Sequence, residues 1–539
     1  MTASFQRYDT SVSKTRFDAI VIGSGIGGLG TAALLSRYGR KVLVLERHYV
    51  AGGMTHTFQR KGFEWDVGLQ YLGKVHDPES PLRCAFDFVT GGALRWAKLD
   101  SVYDRLIFDD RHHDFPTGTA ALEEALCRDF PSERKGISAY LRLIQQVERS
   151  AERYFLQRVL PEWLTPFTHP LLVRPFLKYS ERTTRDMLRT FTSDERLAGV
   201  LAGQWGNYAL PPGESSFAMH ALVAANYLDG GNYPVGGPAN IARSIASVIE
   251  RAGGQVRVCA EVSEILVRDG RAIGVRMADG DELLAPCIVS GTGVYHTLHS
   301  LLPEPCRPRT VVEGMREVRP TIGHLSLYVG LQGTARELGL ERTNLWLHAG
   351  YDHDASMRAW LANPEARMPL VFMGSTSARD PEWEANHPGR STLSLVSLAP
   401  YEWFERWEGT AWRKRGPEYE DLKARLSERL LASLYQHLPH LRGKVVYHEL
   451  STPLSTRHFS NHTRGAIYGL EHSPARFRQR WLRPTLPVRD LFLVGQDLVS
   501  VGVGASLMSA VLASSVILRR NVLGDVMRKP PLDTVLNAA

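Results

Sequence analysis

The sequence is poor in cysteine, with five cysteines in 539 residues and no paired spacing between them. This pattern excludes the disulfide framework of a small secreted domain and a cysteine-based metal site, so we predict no metal. The N-terminal stretch MTASFQRYDTSVSKTRFDA carries charges and hydroxyls but has no apolar core, and no secretory signal peptide is predicted. Both absences indicate a reducing, cytoplasmic setting.

The sequence also lacks a nucleic-acid-binding module, internal repeats and low-complexity segments. The formal net charge is +7, but the basic residues are dispersed as on an ordinary solvated surface, so we predict no nucleic-acid partner. The longest apolar run, residues 491–518, contains Asp497 and several glycines, and the pair Arg519-Arg520 follows it. These features favour a buried helix over a transmembrane span.

A glycine-rich turn near the N-terminus is the strongest motif. Gly23, Gly25 and Gly28 have the G-x-G-x-x-G spacing, between a predicted strand that begins at Ile20 and a predicted helix. In such a turn the glycines permit a tight bend, a close approach of a pyrophosphate and close helix packing. Glu46 ends the next predicted strand, where its carboxylate can accept hydrogen bonds from a ribose. The segment therefore predicts a dinucleotide-binding unit.

Two further segments favour FAD over NAD as the nucleotide. The pair Gly52-Gly53 follows the acidic residue closely, and positions without side chains let backbone lie against a flat ring. Near the C-terminus, Asp497 follows a predicted strand and can bond hydroxyls of the flavin sugar chain. Gly502 and Gly504 open the next predicted helix, whose N-terminus can face the anionic side of a reduced flavin. Only one complete dinucleotide fingerprint is present, so a second nucleotide, NAD(P), is not predicted.

Several runs spread over residues 17–522 resemble the FAD-dependent phytoene desaturase and carotenoid isomerase superfamily, and within it the retinol saturases. They are EWDVGLQYLG, LPPGESSFAMHALVAANYLDGGNYPVGG, RAGGQVRVCAEVSEI, STPLSTRHFSNHTRGAIYGLEHSPARF and VGQD. The resemblance implies an α/β fold with a Rossmann-like FAD-binding domain of the amine-oxidase type, interleaved with a mixed α+β substrate domain. No cysteine follows Cys306, so we expect the FAD to be bound non-covalently.

The predicted FAD-binding domain comprises residues 17–95, 232–305 and 485–525. The predicted substrate domain comprises residues 96–231 and 306–484. By resemblance, Val262 is the strand residue whose backbone meets the adenine. The complete set of predicted cofactor-binding residues is Gly23, Gly25, Gly28, Glu46, Arg47, Gly52, Gly53, Met54, Val262, Gly495, Asp497, Gly504 and Ala505.

The resemblance implies an oxidoreductase that acts on C=C bonds of a long hydrophobic polyene of the retinoid or carotenoid kind. Saturation would deliver a hydride from flavin N5 to one carbon and a proton to the other. A desaturase or a cis–trans isomerase with the same flavin stays open, as does a non-enzymatic carrier of prenyl lipids on this fold. The external electron donor or acceptor is not predicted. Candidate proton donors or aligning residues are Tyr71, Tyr208, Tyr468, Glu471 and His472.

Residues 154–182 combine bulky apolar side chains with cations. Four prolines, Pro161, Pro166, Pro170 and Pro175, interrupt the segment and exclude one spanning helix. Such a composition suits either a buried cap over the active site or an interfacial segment in contact with lipid. We favour peripheral contact with a membrane surface, because a hydrophobic polyene has to reach the flavin from lipid.

Two periodic patterns predict core faces. Ile137, Leu141, Ile144 and Val147 recur at helical spacing. In TIGHLSLYVGLQG, Leu325, Leu327, Val329 and Leu331 alternate with His324, Ser326 and Tyr328. The alternation predicts a strand of the substrate domain with a core face and a face that lines a cavity.

Overall fold

A parallel sheet forms the centre of the nucleotide-binding part. The computed structural model describes residues 5–160, 162–529 and 531. Six strands pair in parallel, and their apolar residues are covered on both faces, as is usual for parallel sheets. In spatial order they are Gln6–Arg7, Gln255–Val258, Val42–Glu46, Ala19–Ile22, Ile288–Ser290 and Leu491–Leu493.

The helix after the glycine turn, Ile26–Arg37, packs between two others, Ala239–Arg251 and Gly502–Leu518. A Cβ on Gly30 would lie 2.8 Å from Cδ1 of Leu507, so the absence of a side chain permits this close helix pair. The 17-residue helix Gly502–Leu518 is thus buried beside the turn, as predicted. Helices Pro81–Thr90 and Val522–Met527 complete this layer.

The sequence of the run QVRVCAEVSEI predicts one strand that leads into a hairpin, but the run forms two strands. Gln255–Val258 belongs to the parallel sheet, whereas Val262–Arg268 begins a three-stranded antiparallel sheet with Arg271–Met277 and Glu282–Leu284. Between them Cys259 has a left-handed φ of 54°, which redirects the chain. The dipeptides Asp269-Gly270 and Asp279-Gly280 predict tight strand reversals in this sheet, and the strand pairing confirms both.

A seven-stranded mixed sheet forms the second part. On Gly323–Gln332, the predicted core residues Leu325, Leu327, Val329 and Leu331 are fully buried, while the alternate residues line a cavity. In spatial order the strands are Val445–Ser451, Gly323–Gln332, Arg390–Ala399, Leu370–Gly374, Asn344–His348, Val102–Ile107 and His112–Pro116.

Helices enclose the second sheet. The longest, Arg134–Gln157, buries Ile137, Leu141, Ile144 and Val147, which confirms the helical spacing. The other α-helices of five or more residues in this part are Thr119–Asp129, Arg174–Ser180, Thr184–Leu188, Glu195–Ala202, Phe217–Tyr227, His353–Ala362, Pro417–His437, Pro453–Ser460 and Pro474–Arg478. Helix Arg309–Met315 instead packs its buried Val311 and Met315 in the core beside the parallel sheet.

The segment 154–182 is a chain of short helical turns. Pro166, Pro170 and Pro175 lie in the first turns of Thr165–Thr168, His169–Val173 and Arg174–Ser180, whereas Pro161 lies outside the described residues. Within the described ranges, no helix is both long and apolar enough to cross a membrane. Pairing between Trp96–Lys98 and Asn232–Pro234 joins the two parts, and the boundaries drawn between them remain predictions.

Candidate active site

A cavity of about 1900 Å³ lies between the parallel sheet and the seven-stranded sheet. Its walls come from both parts of the chain, beginning at the glycine turn and ending on the floor formed by the second sheet. Apart from Gly28, all the predicted cofactor-binding residues line it. The cavity thus brings together residues that are separated by more than 450 positions in sequence.

The three glycines of the turn have three different surroundings. Gly23 has a φ of 90° and its N–H donates to the Leu45 carbonyl at 2.8 Å, so the bend is fixed directly after the strand. A Cβ on Gly28 would overlap the carbonyl oxygen of Gly23, which accounts for its position behind the wall. A Cβ on Gly25 would meet nothing within 4 Å, because Gly25 faces the open cavity at the N-terminus of helix Ile26–Arg37.

Glu46 is held at the end of its strand by three hydrogen bonds. One carboxylate oxygen accepts from the backbone N–H of Ser24 at 2.8 Å and from its hydroxyl at 2.6 Å. The other accepts from the N–H of His48 at 2.7 Å. Nothing in the sequence marked Ser24, an ordinary turn residue, as the group that orients this carboxylate.

The Gly52-Gly53 pair closes over the glycine turn. Gly52 and Gly53 have φ values of 122° and 55°, and a Cβ on Gly53 would lie 2.9 Å from the Cα of Gly25. The N–H of Gly52 donates to the hydroxyl of Ser24 at 3.0 Å. A side chain at Gly53 would push the two loops apart. Because there is none, the backbones of the glycine turn and of the Gly52-Gly53 pair can both approach one ligand.

Asp497 anchors two loops at the opposite edge of the cavity. Its carboxylate oxygens accept from the N–H of Val294 at 2.9 Å and from that of Leu470 at 2.8 Å. Next to it, Gly495 has a φ of 115° and open space at its Cβ position. The helix that begins at Gly502 points its N-terminus into the same cavity.

These residues fit an FAD molecule. Two helix N-termini carry unpaired N–H groups toward the cavity, where they favour phosphate or a negatively charged ring. Gly25 and Gly495 leave the space that side chains would fill. In such a complex Glu46 and Val262 would hold the nucleoside, and Asp497 would border the region between it and the second helix.

Two of the five candidate catalytic residues line the cavity, Tyr71 and Tyr468. The Tyr71 hydroxyl donates to the buried carboxylate of Asp104 at 3.0 Å, and burial together with this charge raises the pKa of Tyr71 well above its ordinary value. Tyr468 makes no side-chain hydrogen bond to the described protein residues, and burial raises its pKa to about 12. Tyr468 is therefore a protonated hydroxyl that is free to contact a ligand.

The other three candidates lie outside the cavity lining formed by the described residues. Tyr208 is fully buried, and its hydroxyl contacts Nδ1 of His220 at 3.3 Å. Glu471 forms an ion pair with Arg319 at 3.1 Å. His472 is fully buried, and burial lowers its pKa well below the ordinary value.

The sequence did not indicate the polar network behind Tyr71. Asp104 accepts from Gln204 and Asn344, both at 2.7 Å, in addition to Tyr71. Asn344 in turn accepts from the buried guanidinium of Arg379. One feature of the sequence could have indicated this network. Asp104 is a charged residue at a position of the strand VYDRLI where the side chain is buried.

Comparisons with known proteins agree with this site. A model of the family described as flavin containing amine oxidoreductase matches residues 26–518. The chain is 35% identical over 528 residues to the all-trans-retinol 13,14-reductase of Danio rerio, covering 94% of this chain and 86% of that protein. It is 24% identical to the chloroplastic prolycopene isomerase of Daucus carota, covering 82% of this chain and 70% of that protein.

The fold is similar to that of a solved oxidase. Wild-type putrescine oxidase bound to putrescine superposes with a TM-score of 0.63 at 17% identity, covering 94% of this chain and all of the other. These matches confirm the fold, the cofactor and the resemblance predicted from the sequence. The chain belongs to the flavin-containing amine oxidoreductase family and is an FAD-dependent oxidoreductase.

Proposed function

We propose that the protein saturates a C=C bond of a retinoid-like polyene. The observation that carries this proposal is the 35% identity, over nearly the whole chain, to a protein named for reduction of the 13,14 bond of all-trans-retinol. In such a reaction the bound flavin supplies the hydride, and a proton completes the other carbon. Saturation of one C=C bond consumes two electrons, so each turnover requires an external reductant.

The shape of the cavity supports a long apolar substrate. Its floor extends across five adjacent strands, from Val445–Ser451 to Asn344–His348, which is about 19 Å at the usual strand spacing. The floor and the facing helix Phe217–Tyr227 supply mainly apolar groups. These are Met219, Leu222, Val223, Tyr227, Trp346, Leu370, Phe372, Val396 and Leu398.

The residues of this chain align the polyene, exclude water and hold a proton. Aromatic rings of Tyr71 and Tyr227 stack at 4.5 Å and form a rigid wall. The Tyr71 hydroxyl donates its hydrogen bond to Asp104, so it does not offer a hydrogen to the ligand. The free hydroxyl of Tyr468 is the better proton donor in the cavity.

Isomerisation of a polyene is the second candidate function. The prolycopene isomerase relative favours it, and an isomerase on this fold would share the flavin site and the apolar cavity. The family and the cofactor-binding turn argue against the non-enzymatic prenyl-lipid carrier.

Mass spectrometry separates the two reactions. Photoreduced holoprotein is incubated without oxygen with all-trans-retinol and, separately, with a hydrocarbon carotenoid. A product heavier by two hydrogens supports saturation, whereas unchanged mass with altered retention shows isomerisation. Absence of product from both polyenes contradicts the proposal.

We also propose that the protein docks on an anionic membrane surface through residues 154–182. Three side chains of this segment, Trp163, Phe167 and Leu171, are 70%, 75% and 72% exposed. The exposed cations Arg174 and Lys178 follow them, so apolar groups and charges suited to anionic headgroups are combined. Leu156, Val159 and Leu160 at the start of the segment line the cavity, so lipid contact is continuous with the substrate path.

Vesicle flotation tests the docking surface. The triple variant W163S/F167S/L171S should lose most binding to phosphatidylserine-containing vesicles, while its melting temperature stays close to wild type because these groups are exposed. The matched control is L284S/V446S, which removes two exposed apolar residues elsewhere. Equal flotation of the triple variant and the control would exclude this surface.

A further inference from the structure

The floor of the cavity carries one imidazole among mainly apolar groups. His324 lies on strand Gly323–Gln332, is 5% exposed and lines the cavity. Its Nδ1 is buried and has no hydrogen-bond partner among the described residues. Because Nδ1 is enclosed by protein atoms, a ligand in the cavity reaches the imidazole through Nε2, which makes no hydrogen bond to the described residues.

The surroundings of His324 make one corner of the floor polar. Ser326 lies two residues along the same strand on the cavity face, and its partner on the neighbouring strand is Ser451. At the far edge of the floor, Trp346 and Phe372 are aromatic. A substrate lying across the sheet thus has an apolar environment along its length and a polar one at the His324 end.

The charge state of His324 defines the ligand chemistry. Burial, together with nearby His462, lowers the pKa of His324 to about 4, so the imidazole is neutral at pH 7. A neutral imidazole has one donor and one acceptor nitrogen. It matches an alcohol or a carbonyl, whereas a carboxylate beside it would be buried without the cation that such a charge requires.

We propose that His324 hydrogen-bonds the uncharged polar end group of the polyene and so selects an alcohol over a hydrocarbon of the same chain. This inference rests on the proposed function and specifies its substrate class. His324 is a specificity-determining residue for the end group, which in all-trans-retinol is attached directly to the 13,14 double bond. Loss of the imidazole should therefore weaken binding of the alcohol and leave binding of the hydrocarbon unchanged.

The test compares H324L with H324Q, which retains an amide donor and acceptor. Dissociation constants for all-trans-retinol and its deoxy hydrocarbon are measured from the perturbed absorbance of the oxidised flavin. We expect wild type to bind the alcohol about tenfold more tightly than the hydrocarbon, as one neutral hydrogen bond allows. H324L should abolish this preference, and H324Q should keep most of it.

Equal weakening of both ligands in H324L, or a preserved preference, would overturn the inference. Failure of the proposed function is a separate outcome, because binding is measured without turnover. If reduced wild type gives no saturated product but H324L still loses the preference for the alcohol, the recognition role stands and the saturase assignment does not.

Discussion

At the residue scale, Gly25 and Gly28 provide a matched pair of substitutions. In G25A the new methyl enters open cavity, so the apoprotein should keep its melting temperature while FAD binding weakens at least tenfold. In G28A the methyl meets the Gly23 carbonyl, and we expect destabilisation of about 3 kcal/mol or more, as for an overpacked core. Thermal melts and flavin titrations measure both effects, and similar behaviour of the two variants would contradict these roles.

The two cavity tyrosines should differ in catalysis. Y468F removes a hydroxyl that has no protein partner, and the rate of product formation should fall by about 100-fold. Y71F removes one of three donors to Asp104, so it should cost about 1 kcal/mol of stability and change kcat by less than about threefold. Single-turnover rates and thermal melts distinguish them. A larger rate loss in Y71F than in Y468F would indicate that Tyr71, and not Tyr468, is the proton donor.

Residues with a role in backbone geometry were the most predictable from sequence. Gly23, Gly25, Glu46 and Asp497 line the cavity because local motifs determine their positions, whereas Gly28 lies behind its wall. Tyr208, Glu471 and His472 come from matching segments but lie outside the lining, since sequence does not define on which side of a loop a side chain points. Asp104 and Ser24 act through tertiary contacts, and no local pattern indicated them.

At the scale of elements, one face of the strand Gly323–Gln332 packs in the core and the other face lines the cavity. L327A removes a fully buried side chain and should cost about 2–5 kcal/mol of stability with little change in ligand preference. S326A, one residue earlier, faces the cavity and should leave stability within about 1 kcal/mol. Denaturation curves test the pair, and equal losses would mean that both faces are core.

Periodicity predicted elements better than boundaries. The alternation in this strand and the helical spacing in Arg134–Gln157 were both correct, because each reports burial of one face. The change from one sheet to the other at Cys259 was not predicted. The apolar alternation continues past this residue, and only its left-handed φ redirects the chain. The short turns of residues 162–180 followed from their prolines.

At the scale of the whole molecule, interleaving of two sheets creates the site. Strands from residues 6–46, 255–290 and 491–493 build one wall, and the intervening segments build the floor. Sequence motifs located the first wall, because nucleotide binding imposes fixed local spacings. The floor depends on pairing between distant strands, and its apolar character became visible only in the structure.

Single-turnover stoichiometry tests the central claim most directly. Holoprotein with fully reduced FAD is mixed with all-trans-retinol in the absence of oxygen, and the flavin spectrum and the product are followed together. Saturation predicts one dihydro product for each flavin oxidised, with equal rates for the two signals. Conversion of the polyene while the flavin stays reduced would contradict the claim, and so would a flavin that stays reduced with no polyene consumed.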